Sequence, residues 1–239
     1  MKKIFLFSLA VLLINCNNLT SSKEKLNKLI EVYQNYAGNK RDEFPLGDYR
    51  ESRFEKYAAF CDSIKAELET IDGKSLSEDD KISYKLLHFK LKETLVKYNF
   101  KTHWNPILSD AGFHSSLTYR VRPITSKKTA LKYLTLLKAI PTYIDQQKEL
   151  ISKGLEAGIG QPLVIFEGYE STYEQHITPT AEENFYYSPF LNLPEPISER
   201  EKDSLREAAK EVILKSVIPS FIIFLKPSIA KSYSPITKQ

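Results

Sequence analysis

The four histidines, His88, His103, His114 and His176, are the residues to test first for metal-dependent chemistry. A zinc-peptidase helix of the HExxH type needs two histidines four residues apart, so that both imidazoles face one ion. It also needs a glutamate directly after the first histidine as general base. None of the four histidines has another histidine four residues away, and none is followed by glutamate. The sequence therefore predicts no metal ligand and no catalytic residue in this chain.

Two of these histidines have simpler explanations. His88 lies on the flank of an apolar helical stripe, and this position predicts a packed core residue. His176 lies at the expected end of a helix, where an imidazolium would interact favourably with the helix dipole. His103 and His114 lie in the irregular segment 100–124, which shows no helical period.

Segment 100–124 is where polar and aromatic side chains converge outside any helix stripe. Functional residues often lie on such loops, because a rigid scaffold can present them to a ligand. We therefore predict that His114, Tyr119 and Arg120 face a cleft, with a structural role as the alternative. A short strand is expected at residues 116–121.

The first twenty residues predict export. Two lysines precede the apolar run Ile4–Ile14, which is too short to span a bilayer. The order of cationic, apolar and polar residues is that of a signal peptide. Leu13-Ile14-Asn15-Cys16 resembles the lipobox of a bacterial lipoprotein signal, and this resemblance implies lipid on Cys16.

The lipobox reading divides the chain into a signal peptide at 1–15, a polar tether at 16–22 and a helical domain at 23–239. It predicts an exported protein, anchored by lipid to the cell envelope and facing the periplasm or the cell surface. The membrane is then a partner through the N-terminal lipid. An ordinary signal peptide with a chance cysteine is the alternative.

Composition argues against several other functions. The formal net charge is +4, with basic and acidic residues interspersed, which does not favour nucleic acid as a partner. No GxGxxG, GxxxxGK[ST] or GxSxG pattern occurs, so the familiar nucleotide sites and the serine-hydrolase elbow lack support. With Cys16 lipidated, Cys61 has no disulfide partner and is expected to be a buried small hydrophobe.

Helical periodicity dominates the rest of the chain, whereas alternating strand patterns are almost absent. The fold class is therefore all-α, with about six amphipathic helices joined by long loops rich in proline and aromatic residues. The expected helices span 22–37, 52–71, 77–99, 126–157 and 162–177, and a last one begins at 198. Pro141 should kink or break the fourth helix. Residues 178–197 are expected to form a loop.

The segment Val217–Leu225 is apolar nearly all round. A helix of this kind requires burial on every side. We expect the cover to come from earlier helices, from a missing part of the chain or from a partner.

A resemblance to a known family rests on several separated matches. The matching residues are Gly112-Phe113-His114-Ser115-Ser116-Leu117, Tyr133-Leu134, Leu137, Ile140-Pro141, Gly154-Leu155-Glu156-Ala157-Gly158, Gln161-Pro162, Tyr187-Ser188-Pro189-Phe190, Ala208-Ala209 and Val217-Ile218-Pro219. In these residues the chain resembles the bacterial domain of unknown function 885. The resemblance covers most of residues 22–219.

The resemblance implies an exported helical protein related to zinc metallopeptidases, whose HExxH-type motif lies in a later half. The chain would then be half of a larger helical metallopeptidase-like fold, truncated before the motif and non-catalytic alone. Zinc is expected only in full-length members. A missing C-terminal half or a separate polypeptide is an implied partner. The alternative is a complete helical binding lipoprotein that holds a periplasmic or surface partner.

Overall fold

The structure is a computed structural model that describes residues 21–38, 43–108, 111–162, 164, 168 and 171–224. Within these ranges it confirms the all-α class. The α-helices are α1 (Ser22–Gly38), α2 (Glu51–Glu69), α3 (Glu78–Asn99), α4 (Lys127–Glu156), α5 (Ser171–Glu174), α6 (Ser188–Leu191), α7 (Glu199–Val212) and α8 (Ile218–Phe224). The predicted signal peptide and Cys16 lie outside the described residues.

Short elements fill the connections. The 3₁₀-helices are Gly73–Ser75, Thr102–Trp104, Ser115–Arg120 and Phe185–Tyr187, and a π-helix at Ile213–Val217 joins α7 to α8. The strands β1 (Ile107–Leu108) and β2 (Ala111–Gly112) form a two-residue antiparallel pair, with Ile107 opposite Gly112. Of the helices described, none is long and apolar enough to cross a bilayer.

Side-chain caps lie at the starts of α3 and α7. The Ser77 hydroxyl accepts the Asp80 amide N–H at the start of α3, where the sequence predicted a helix to begin. At α7, which was expected to begin at 198, Glu201 accepts hydrogen bonds from the amide and the hydroxyl of Ser198. Because these caps involve only residues close in sequence, the helix starts could be predicted well from the sequence.

Two hydrophobic clusters lie beneath the helices. One joins α1, α2 and α3 and includes Cys61, which is buried as predicted. The other is larger and surrounds α4, which contacts α7, the π-helix and α8. The 3₁₀-helix Thr102–Trp104 contacts both α3 and α4, so it links the two clusters.

Three predictions of secondary structure were wrong. Residues 116–121 form no strand, because hydroxyls close a 3₁₀-helix there; Ser116 donates to the carbonyl of Phe113 and Thr118 to that of Ser115. A helix was expected at 162–177, but the α-helix found among the described residues of that range is α5 alone. Gly168, with φ of +74°, has a left-handed backbone that interrupts a helix. The expected loop at 178–197 contains a 3₁₀-helix and α6.

Pro141 does not break α4, which runs continuously from Lys127 to Glu156. A proline inside a helix removes one hydrogen bond and costs about 3 kcal/mol. The inner face of α4 offsets this cost, because residues on both sides of the proline are buried in the larger cluster; they include Leu137, Ile140, Tyr143 and Ile144.

The apolar segment that begins at Val217 is covered on its inner side by the protein itself. Val217, Ile218 and Phe221 are buried in the larger cluster, whereas Ile222 and Ile223 are about half exposed. Earlier helices therefore supply part of the cover that the sequence required. Leu225 lies outside the described residues.

Gly154 allows the close approach between α4 and the 3₁₀-helix Thr102–Trp104. A Cβ at this position would lie 2.7 Å from the carbonyl oxygen of Trp104 and 3.3 Å from that of Ile159. Both neighbours are backbone atoms, which cannot move aside as a flexible side chain can.

We expect Gly154→Ala to lower the free energy of unfolding by roughly 1–3 kcal/mol, although alanine normally favours a helix. Urea titration followed by circular dichroism measures the loss. Gly73→Ala is the matched control, since a Cβ there meets nothing within 4 Å. Equal stability of the two variants would contradict the proposed close packing.

Candidate functional site

The turn before α2 is fixed in place by α4. Gly47 has φ of +111°, and a Cβ there would lie 2.7 Å from the Tyr49 ring, so only glycine suits this position. The Tyr49 amide donates to Oε1 of Gln146 at 2.8 Å. The Tyr49 ring packs edge-on against Tyr143, with 5.1 Å between centroids. Two contacts with α4 therefore hold this turn.

A bidentate ion pair lies within the same turn. Arg50 donates from Nε and Nη2 to the two carboxylate oxygens of Asp48, at 2.9 Å in each case. The Arg50 guanidinium lies 4.2 Å from the centroid of the Phe44 ring. The charge of Asp48 is thus balanced within the turn, and the carboxylate is a structural group.

The turn before α2 forms one wall of the site. The second wall is formed by the 3₁₀-helix Ser115–Arg120 and the chain that follows it. The Tyr143 hydroxyl donates to the carbonyl of Phe113 at 2.8 Å and lies 3.2 Å from Oγ of Ser116. Burial raises the pKa of Tyr143 to about 12, so this hydroxyl stays protonated and can donate. Leu117 is buried beneath the helix, whereas Tyr119 is 72% exposed.

A cavity of about 1040 Å³ lies between these two walls. Four cationic side chains line it, from α2, from the 3₁₀-helix, from the chain after it and from α4: Arg53, Arg120, Arg122 and Lys132. Its aromatic lining consists of Phe44, Tyr49, Phe54, Tyr57 and Tyr119. We call this cavity the cationic cleft. A smaller cavity of about 290 Å³ shares the turn and Thr135 with it.

Within the described part of the chain, no carboxylate forms an ion pair with any of the four cations of the cleft. Arg53 is oriented by aromatic residues, since its guanidinium lies 5.0 Å from the Tyr36 ring and 5.2 Å from the Tyr57 ring and donates to the Tyr36 hydroxyl. Unpaired guanidinium groups beside aromatic rings favour binding of an anion.

Of the three residues predicted to face a cleft, Tyr119 and Arg120 line this cavity and His114 does not. His114 is fully buried, its Nε2 lies 2.9 Å from Oγ1 of Thr172, and its ring stacks on Tyr173 at 3.9 Å. Sequence reasoning missed Arg53 and Lys132. They lie on helices far apart in sequence, and only the tertiary structure brings them together.

His103 belongs to a separate cluster near the start of α2. Its ring stacks between Phe54 and Tyr98, at 4.3 and 5.7 Å. Glu51 accepts a hydrogen bond from the Trp104 indole at 2.6 Å, and its carboxylate lies 3.2 Å from Nε2 of His103. Burial lowers the pKa of His103 and outweighs the opposing effect of Glu51. This cluster links α2 to the 3₁₀-helix Thr102–Trp104, so its role is structural.

The predictions for the other two histidines were wrong. His176 is fully buried, and burial lowers its pKa to about 3, so it is neutral and not an imidazolium at a helix end. Its Nδ1 lies 3.0 Å from the Tyr186 hydroxyl. His88 is only partly buried, because it lies at the edge of α3 beside Glu69, with 3.1 Å between Nε2 and Oε1.

The part of the chain that the structure describes brings together no group of three or more His, Cys, Asp or Glu side chains that could hold a metal ion. The described lining of the cleft also contains no histidine and no cysteine.

The family model described as bacterial protein of unknown function (DUF885) matches residues 32–226. The chain belongs to the DUF885 family. The match includes every described residue that lines the cationic cleft, so the cleft is built from the part of the chain that defines its membership. No curated protein and no solved structure matches the chain.

The two buried histidines of this DUF885 protein make its stability sensitive to acid. Burial lowers the pKa of His114 to about 4 and that of His176 to about 3, from an ordinary value of 6.5. The unfolded chain therefore binds protons that the folded chain cannot, and stability is lost as the pH falls below 6.5. At pH 5.5 each histidine should cost about 1.4 kcal/mol relative to pH 7.5, or about 3 kcal/mol together.

Urea unfolding at pH 7.5 and 5.5 measures this effect. Replacing one buried histidine by His176→Phe should reduce the difference between the two pH values by about half. His88→Gln, at a partly exposed position, should leave the difference unchanged. A wild-type protein with equal stability at both pH values would show that these imidazoles are not buried as described.

Proposed function

We propose that this protein is the non-catalytic, helical portion of a metallopeptidase-like lipoprotein that is exported to the cell envelope. We further propose that it holds an anionic peptide segment in the cationic cleft. The observation that carries the proposal is the set of four cations around an aromatic wall, none of which pairs with a carboxylate among the described residues. Binding, and not bond cleavage, is the contribution of the described residues.

The chemistry of the cleft favours carboxylates as the groups bound. Three of its four cations are arginines, whose planar guanidinium groups match a carboxylate with two parallel hydrogen bonds. Asp48, the acidic residue in the lining, is already balanced by Arg50. An acidic ligand therefore meets little repulsion.

The size and the aromatic lining favour a peptide over a small ion. Pockets for small molecules usually measure about 300–1,000 Å³, and the cleft, at about 1040 Å³, lies just above that range. Tyr119 and Tyr57 offer apolar ring surface together with a hydroxyl, a combination common where peptides bind. A short segment with acidic and apolar side chains would use both kinds of lining.

The link to metallopeptidases and to the envelope is supported by sequence. Membership of DUF885 agrees with the resemblance on which the metallopeptidase-like reading depends. The apolar run Ile4–Ile14 followed by Cys16 supports export and lipid attachment. In this proposal any catalytic metal belongs to other residues than those described.

We expect the purified protein to contain no stoichiometric zinc and to leave peptide substrates uncleaved. The reason is that its described residues bring no three suitable ligands together. Metal analysis by mass spectrometry and a fluorogenic peptide assay test this. One tightly bound zinc per chain would overturn the non-catalytic assignment.

Replacing two arginines of the cleft should weaken peptide binding. We expect Arg120→Gln with Arg122→Gln to reduce affinity for the peptide acetyl-Glu-Phe-Glu by roughly tenfold or more, because two charge-assisted contacts are lost. Both side chains are exposed, so the fold should be retained. Isothermal titration calorimetry measures the affinity, which should also fall as salt is raised.

Arg200→Gln is the matched control, since Arg200 is an exposed arginine outside the cleft. The neutral peptide acetyl-Gln-Phe-Gln is the matched ligand. Equal affinity for the two peptides, or an equal loss with Arg200→Gln, would contradict a carboxylate site in the cleft.

A further inference from the structure

Helix α3 is apolar on two opposite faces. One face packs inward through Leu87 and Leu91, which are buried between α1 and α2. The other face points outward. Its large side chains, with their exposed fractions, are Ile82 (65%), Leu86 (59%), Phe89 (60%), Val96 (43%) and Phe100 (75%). We call this set the α3 stripe.

The α3 stripe is continuous along the helix. Ile82, Leu86 and Phe89 recur at intervals of four and three residues, so they lie on one face. Val96 extends the same face, and Phe100 follows the last residue of the helix. At 1.5 Å per residue the stripe is about 27 Å long. A soluble monomer rarely exposes so long an apolar surface without a partner.

Positive charge is concentrated on the same segment. The first turn of α3 is acidic (Glu78, Asp79 and Asp80), and Glu78 pairs with Lys81 at 2.8 Å. From there on, residues 81–101 contain six lysines and one glutamate and carry a net charge of +5, whereas the whole chain carries +4. Lys85 and Lys92 lie on one flank of the stripe, and Lys90 and Lys97 lie on the other. Glu93 lies within the stripe and is neutralised by Lys90 and Lys97, at 3.4 and 2.9 Å.

The charge distinguishes between occupants. A second copy would place two segments of +5 against each other, and this repulsion opposes a dimer through the stripe. An anionic bilayer surface instead complements the lysines. A helix with Phe and Leu on one face and lysines along its flanks is typical of those that lie in the headgroup region. Lysine stems can lie along apolar surface while their ammonium groups reach the headgroups.

The start of the described chain lies beside the start of α3. The Ser22 hydroxyl accepts a hydrogen bond from that of Ser75 at 2.7 Å, and Lys23 lies 3.9 Å from Asp80 in the first turn of α3. Cys16 precedes Ser21 by five residues, which span at most about 18 Å. A lipid on Cys16 would therefore hold α3 near the bilayer.

We infer that the α3 stripe lies in the headgroup region of an anionic lipid bilayer and is a second membrane contact of this protein. This membrane contact goes beyond the proposed peptide binding, and it requires neither the cationic cleft nor the lipid on Cys16. Insertion of about 5–10 Å would bury the apolar side chains and leave the lysines among the headgroups.

Vesicle co-sedimentation of the full chain tests this inference. The background is Cys16→Ala, which removes the acylation site, so every protein compared has the same unlipidated N-terminus. This protein should sediment with vesicles of phosphatidylglycerol and phosphatidylcholine more than with phosphatidylcholine alone, and less at high salt. Adding Phe89→Ser and Phe100→Ser should lower the partition coefficient by roughly tenfold or more.

Leu131→Ser with Leu191→Ser is the matched control, since these are two exposed apolar residues outside α3. This control should bind as its background does. Equal partitioning of the α3 stripe variant and its background would overturn the inference. So would self-association in sedimentation velocity that the stripe variant abolishes, because a second copy would then be the occupant. Peptide affinity of the same proteins reports separately on the cleft.

Discussion

The arrangement of the cleft depends on Tyr143, a buried side chain in the middle of α4. Its hydroxyl holds the carbonyl of Phe113 and thereby the 3₁₀-helix of one wall, while its ring supports Tyr49 in the other. One residue therefore sets the distance between two walls that are some 70 residues apart in sequence. The raised pKa of Tyr143 keeps the donor protonated at any physiological pH. Leu117 and Leu46 are buried on either side and prevent each wall from moving independently.

The two hydrophobic clusters are joined by a small polar and aromatic junction. Glu51, at the start of α2, accepts the Trp104 indole N–H, and the backbone of Trp104 lies directly against Gly154 of α4. The N-terminal helices are thus fixed to α4 through the contacts of Glu51 with Trp104 and His103 and through the close backbone approach at Gly154. Because Arg53 follows Glu51 on α2, the same junction orients the cation that α2 contributes to the cleft. The position of the residues that line the cleft is therefore a consequence of helix packing.

The sequence predicted the features that local chemistry determines. The helix starts near Ser77 and Ser198, the burial of Cys61 and the all-α class all follow from short-range patterns, and the structure confirms them. Prediction from sequence failed where tertiary contacts determine the structure. Helical periodicity cannot show which of the two apolar faces of α3 meets a neighbour and which stays exposed. The cleft was only partly anticipated, through Tyr119 and Arg120, since Arg53 and Lys132 carry no motif and approach only through packing.

The cationic cleft and the α3 stripe differ in the type of cationic side chain that they contain. The cleft uses mainly arginine, on a concave and partly rigid wall where a guanidinium can be oriented by rings such as those of Tyr36 and Tyr57. The α3 stripe uses lysine alone, on a convex helix with long mobile stems. Arginine suits recognition of a carboxylate in a fixed geometry, whereas lysine suits attraction to a fluid layer of headgroups that has no fixed geometry. A net charge of only +4 therefore hides two positive surfaces of different chemistry.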